Sequence, residues 1–167
     1  MKPNCIRNAV LAAAMSAGVI AAPLVRGQEG KPAIPGSVHV MVMPAAVQWA
    51  DGPGSIPPGA KFAVIEGDPK NAALFTMRLK LPAAYRIPAH WHPADEHVTV
   101  LSGTFHMGMG DKLDTTKGTA LGVGGFAVMP TRTSHYAWTN EETVIQLHGM
   151  GPWGINYVNP ADDPRKK

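Results

Sequence analysis

Apolar and polar residues alternate with a period of two along much of the chain, the spacing of strands rather than helices. From Ala73 to Leu81, Phe75, Met77, Leu79 and Leu81 fall on one side, and Thr76, Arg78 and Lys80 on the other. That pattern predicts a strand with one buried and one wet face. Lys61 to Glu66 reads as a shorter strand stopped by Gly67-Asp-Pro69, and Val38 to Met43 as another near the start. Glu96 opens a β-branched run in which Glu96, Val98 and Val100 share one face, and His97 and Thr99 the other. Gly122, Gly124 and Gly125 in the stretch from Ala120 to Met129 suit a bulged or tight approach, and further strands are expected around Tyr136-Ala-Trp138 and from Thr143 to His148. In that last segment either Ile145 and Leu147 fill the core, with Gln146 and His148 facing out, or the reverse. Met107 and Met109 share a parity that reads as core, and His106 falls on the exposed one. No segment has a convincing amphipathic helical period. Eight to ten short strands separated by turn signals predict an all-β sandwich or barrel.

Composition sharpens this picture at two points. A length of 167 residues fits one domain, and 18 Gly with 16 Pro fit a chain of many turns. Residues 1 to 27 stand apart: Lys2 and Arg7 without acids, a run from Ala9 to Val25 rich in small apolar residues, and small residues before Gln28. This is the pattern of a secretory signal peptide, so the expected location is secreted or periplasmic. A membrane anchor is the rival reading, and a run that short and broken by Pro23 is weak for a span. Removing the segment takes Lys2, Arg7 and Arg26 and no acid, leaving twelve basic against twelve acidic residues. The basic balance of the whole chain is therefore no argument for nucleic acid or an anionic membrane. Cys5 is the one cysteine and leaves with the same segment. That rules out disulfides, thiolate metal ligands and a cysteine nucleophile for the remainder. Residues 28 to 57 read as an N-terminal arm, 58 to 158 as the β-barrel, and 159 to 167 as a charged tail.

The candidate chemistry lies between Arg86 and Gly103. His90 and His92, two apart on an extended segment, project from one face about 6 to 7 Å apart, which lets two imidazoles converge on one ion. Pro88 and Pro93 bracket the pair and disfavour a helix. Glu96 follows across a short polar turn, and His135 lies further along. Histidines and a carboxylate at such spacing are a metal signature, whereas a lone surface histidine is not. The expected ligands are His90, His92, Glu96 and His135. The expected cofactor is one divalent transition metal (Fe, Mn, Cu, Ni or Zn), which the ligand types alone do not choose. Glu96 is a ligand or, when displaced, a base. Arg86 shares parity with His90 and His92, so it is the second candidate catalytic residue, placed to hold an anionic substrate.

The same residues resemble the two motifs of the cupin superfamily. His90, His92, Glu96 and Gly103 stand at the spacings of the first motif, with Ala84 where that motif has its leading glycine. Gly124, Pro130 and His135 fit the second, with Arg132 in place of its inner glycine and Thr139 in place of its asparagine. The resemblance covers about residues 58 to 150 and implies a jelly-roll β-barrel with the four ligands inside one mouth. Gly67-Asp-Pro69 and Gly151-Pro-Trp-Gly154 are similar to a secreted branch of single-domain cupins. Quercetin dioxygenases and oxalate-degrading cupins look similar at the four ligands. The resemblance thus implies a metal-dependent oxidoreductase, dioxygenase-like, acting on a small oxygen-rich organic substrate. A non-catalytic metal or small-ligand binder, a metal-dependent isomerase or lyase, and a purely structural metal site remain as alternatives. The expected partners are a small-molecule substrate and, in assembly, a second copy as a homodimer. No nucleic acid and, after cleavage, no membrane are expected.

Overall fold

The computed structural model describes residues 39–167. The proposed signal segment and the lead up to Ser37 lie outside those residues. Among the described residues no helix is long and apolar enough to cross a membrane. The strands are β1 (Ala50–Asp51), β2 (Lys61–Glu66), β3 (Leu74–Leu81), β4 (Arg86–Trp91), β5 (Glu96–Ser102), β6 (Phe105–Met109), β7 (Thr119–Leu121), β8 (Phe126–Met129), β9 (His135–Thr139), β10 (Thr143–Met150) and β11 (Asn156–Tyr157). They form two antiparallel sheets, ordered β1-β2-β3-β10-β5-β8 and β11-β4-β9-β6-β7, the two layers of a jelly roll.

The period-two pattern explains which faces meet. On β3, Phe75, Met77, Leu79 and Leu81 are buried, and Thr76, Arg78 and Lys80 are only partly so. On β10, Ile145 and Leu147 are buried. This resolves the two readings of that strand: Gln146 and His148 turn outward. The outer face is stitched by polar cross-strand contacts, with Arg78 Nε donating to Gln146 Oε1 at 3.1 Å. Inside, Phe75, Leu79, Val98, Val100, Phe105, Met107, Ile145 and Leu147 form one apolar core between the sheets.

Two strand expectations change. Residues 39–43 form no strand, and Met41 and Met43 are exposed. Alternation predicts a face, but a strand also needs a neighbouring backbone to bond. This segment instead runs into a 3-10 turn at Pro44–Ala46, whose leading proline has no N–H to donate. Met109 is exposed at the end of β6, although Met107 on the same parity is core.

Residues 49 to 57 are fastened to the barrel by strand pairing and by side chains. β1 pairs with β2 through Ala50↔Phe62 and Asp51↔Lys61. The Tyr85 hydroxyl donates to the Pro57 carbonyl, and the Tyr157 hydroxyl to the Ser55 carbonyl at 3.0 Å. Trp49 packs under Lys80, whose Nζ lies 4.8 Å from the ring centre. At the other end, Asp163 accepts two hydrogen bonds from the Arg165 guanidinium, at 2.7 and 2.8 Å. Arg165 also donates to the Ile155 carbonyl at 3.2 Å, tying the charged tail back to the loop beside β11.

Candidate metal centre

His90 lies on β4, His92 just beyond its end, Glu96 at the first residue of β5 and His135 at the first of β9. His90 and His135 are cross-strand partners in the five-stranded sheet, while Glu96 comes from the six-stranded one. The site therefore closes where the two layers meet at one end of the barrel. All four side chains are buried.

The geometry of the imidazoles is set by backbone carbonyls. His90 Nδ1 is 2.7 Å from the Pro88 carbonyl oxygen, His92 Nδ1 2.7 Å from that of Gly154, and His135 Nδ1 2.9 Å from that of Thr133. A carbonyl oxygen can only accept, so each Nδ1 carries a proton and donates it. In the neutral ring the lone pair then sits on Nε2. One ligand atom from each of the three rings falls within 4.8 Å of the others, a group that could hold a metal ion. Nε2 of His92 and of His135 are buried without a hydrogen-bond partner among the described residues. Buried polar atoms are rarely left so. A cation taking both lone pairs accounts for them, and carbonyl-oriented imidazoles are the usual support of a histidine metal site.

Glu96 flanks this trio. Its carboxylate oxygens lie 3.5 Å from His92 Nε2 and 3.4 Å from His135 Nε2, too long for strong hydrogen bonds but close enough for charge to matter. Burial alone would raise the Glu96 pKa; the neighbouring His92 and His135 outweigh it and hold the carboxyl well below the usual range. Burial pulls His92 down, yet the Glu96 charge wins and its pKa ends above the ordinary value. Burial, helped by His135 and His92, pushes His90 down to about 3, so this ring stays neutral and available as a ligand.

Arg86 does not join the cavity. It is exposed and donates to the Tyr85 carbonyl at 3.0 Å and the Thr139 carbonyl at 3.2 Å, capping the rim. The pairing of β4 with β9 shifts register between Ile87 and His90. That irregularity breaks the parity count, so Ile87 shares the inner face with His90 and His92. His39 is exposed, and His97, His106 and His148 lie on outer faces, only partly buried.

The residues that depart from the cupin motifs keep the motif backbone. Ala84 has φ 58° and Arg132 φ 60°, the left-handed region that normally calls for glycine. The Arg132 N–H donates to the His92 carbonyl at 2.9 Å, so this turn supports the ligand strand directly. Thr139 takes over a tethering role: its hydroxyl donates to the Pro82 carbonyl at 2.6 Å, and its N–H to Tyr85 at 3.1 Å. At Gly103 (φ +73°) a Cβ would lie 2.5 Å from the Glu142 carbonyl oxygen, so that position tolerates no side chain. Trp153 and Gly154 also serve the site, Trp153 by stacking on His92 at 4.4 Å between ring centres and 17° between planes. In the sequence their only signal is the Gly-Pro-Trp-Gly loop.

A family model for the ChrR cupin-like domain matches residues 37–154. The chain belongs to the ChrR cupin-like domain family. No curated protein sequence matches this cupin. Among solved structures it is similar to the polyketide cyclase RemF from Streptomyces resistomycificus, at 16% identity over 77% of this chain and 92% of that one, with a TM-score of 0.61. An acetylacetone dioxygenase candidate from Methylibium petroleiphilum PM1 is similar at 16% identity, over 79% and 90%, with a TM-score of 0.57. An RmlC-like cupin from Shewanella frigidimarina follows at 17%, over 68% and 91%, with a TM-score of 0.53. Likenesses this distant carry the barrel and no activity.

Proposed function

We propose that this cupin is an exported, metal-dependent oxidoreductase of dioxygenase type acting on a small, oxygen-rich organic substrate. One divalent transition metal would be held by His90, His92, Glu96 and His135. The observation that carries the reading is the convergence of three buried imidazoles whose Nδ1–H groups are each tied to a carbonyl. A bound iron, manganese or copper would supply Lewis acidity and redox capacity at this point. The chain's own residues do the rest. The carbonyls of Pro88, Thr133 and Gly154 fix the ring orientations, and Glu96, kept ionised, balances the positive charge. The apolar wall of Ile87, Val98, Phe105 and Leu147 excludes bulk water and strengthens every electrostatic contact inside. The names of two fold neighbours, a polyketide cyclase and an acetylacetone dioxygenase candidate, support an oxygen-rich organic substrate. Export rests on the basic start and the small-residue apolar run of residues 1 to 27.

One observation favours a second reading. The chamber that the four side chains share with the apolar wall is only about 30 Å³, the volume of a water molecule or two. A non-catalytic metal binder needs no more. Elemental analysis followed by oxygen uptake with phenols, diketones and keto acids separates the two. One equivalent of iron, copper or manganese with substrate-dependent uptake supports the oxidoreductase; retained metal without turnover supports the binder. A purified chain that neither holds nor takes up metal would overturn both.

A further inference from the structure

Beside the small metal chamber lies a second cavity, of about 400 Å³. That is within the range of pockets for ligands of drug size, and its walls are mostly apolar, as such pockets are. Phe62, Val64 and Met77 contribute from the six-stranded sheet, and Pro53 from the arm. Asp68 and Lys70 bring charge to it. Ile56, Leu79, Trp153 and Ile155 line both this cavity and the metal chamber. The two spaces are thus separated by single side chains.

Trp153 is the informative part of that partition. Its ring stacks on His92, and the carbonyl of the next residue, Gly154, holds the His92 Nδ1–H. Its own backbone N–H is taken by the Pro69 carbonyl at 2.7 Å, which anchors the loop. The indole Nε1–H is buried and has no acceptor among the described residues. Leaving a buried donor without a partner is costly, so this one calls for an acceptor that the described residues do not supply.

We propose that the larger cavity binds a flat, mainly apolar organic molecule of one or two rings bearing a carbonyl or hydroxyl oxygen. Trp153 positions it: the indole packs against His92, and Nε1–H, closed off in the unliganded chain, shifts with the ring to donate to the ligand's oxygen. The inference rests on the metal-centre reading for what the ligand meets next, and deepens it by naming the substrate class. Trp153 is a positioning residue, because it touches both the ligand and the imidazole of His92.

The test is calorimetric titration of the full chain with indanone, which has a carbonyl acceptor, and with indane, which has none. Metal content is measured on the same samples. Indanone is expected to bind at one site. Val64→Trp, which fills the cavity from a partly exposed position away from the metal chamber, should weaken it about tenfold or more by direct clash. Trp153→Phe keeps an aromatic wall and removes only the N–H. It should weaken indanone about fivefold and indane less than twofold. Equal losses for both probes in Trp153→Phe would overturn the positioning role, and unchanged indanone affinity in Val64→Trp would overturn the site. The metal reading fails separately. A metal-free chain that still binds indanone with the Val64 sensitivity keeps the cavity and loses the metal. A metal-loaded chain that ignores indanone does the opposite.

Discussion

Six of the seven histidines fall into two sets of three, and the contrast between them is informative. His90, His92 and His135 are buried, and each offers Nδ1–H to a backbone carbonyl. His97, His106 and His148 sit on outer faces and pack by stacking instead. His97 lies parallel to His148 with ring centres 4.8 Å apart, and His106 lies on Trp138 at 4.9 Å. The sets are intermingled in sequence; His97 directly follows Glu96. Adjacency in the chain therefore does not distinguish a candidate ligand from a surface ring. What distinguishes it is a carbonyl on the far nitrogen, which selects the tautomer and aims the near one.

The sharpest break of this contrast is at His135. His135→Ala should weaken metal binding by more than a hundredfold, beyond the roughly ten- to hundredfold cost of losing a residue that only supports a ligand. Competition against a chelator of known affinity would measure it, and unchanged affinity would remove His135 from the proposed ligands. Glu96→Gln keeps an oxygen that can still reach the ion and loses only the charge, so it should cost less than His135→Ala, about ten- to hundredfold in the same assay. In the metal-free protein it should also drop the His92 pKa, because burial is then opposed only by the Gly154 carbonyl; ring proton NMR across pH reads that directly.

Acid should separate the two sets next. His90 in the folded, metal-free chain has its pKa depressed to about 3. The unfolded chain takes up that proton near pH 6.5 and the folded chain does not, so stability falls as pH drops below about 6.5. The slope from this one group is about 1.4 kcal/mol per pH unit down to about pH 3. His92 has a raised pKa, so its contribution is complete below about 6.5 and is lost only as pH rises above that value. Glu96 has a lowered pKa, so its contribution is lost as pH falls below about 4.3 and steepens the decline there. Urea midpoints between pH 7 and 4 measure the sum. A flat profile would mean that His90 is not the neutral buried ring described.

Smaller effects belong to the turns. Ala84→Gly should stabilise by about 0.5–1 kcal/mol, because a left-handed backbone costs an L-residue more than glycine's extra unfolded freedom. Arg132→Gly should gain less, since the Arg132 guanidinium lies over the Trp91 ring at 6.0 Å and that contact goes with it. Denaturant midpoints with unchanged slopes check both. Smallest of all, His106→Ala and His148→Ala should leave metal stoichiometry untouched.

Much of the barrel was legible because period-two patterning is a local property. β2 has the bounds read from the chain, β3 differs by one residue, and the buried parities of β3 and β5 follow the alternation. The histidines and glutamate that meet at the barrel mouth were legible from residue type and spacing. Three things were not. The register shift in β4 that turns Arg86 outward depends on how β9 pairs with it, about fifty residues away. The insertion of β10 between β3 and β5, which settled the faces of Gln146 and His148, is likewise a long-range pairing. The partition formed by Trp153 and Gly154 comes from a loop that only tertiary contact brings against His92. By itself, then, the sequence determined which side chains could form a face and which could bind a metal, since both follow from neighbours along the chain. The tertiary structure decided which face turned inward, which nitrogen was free and what lay beside the metal chamber. Those depend on backbone hydrogen bonds and packing between segments far apart in the chain.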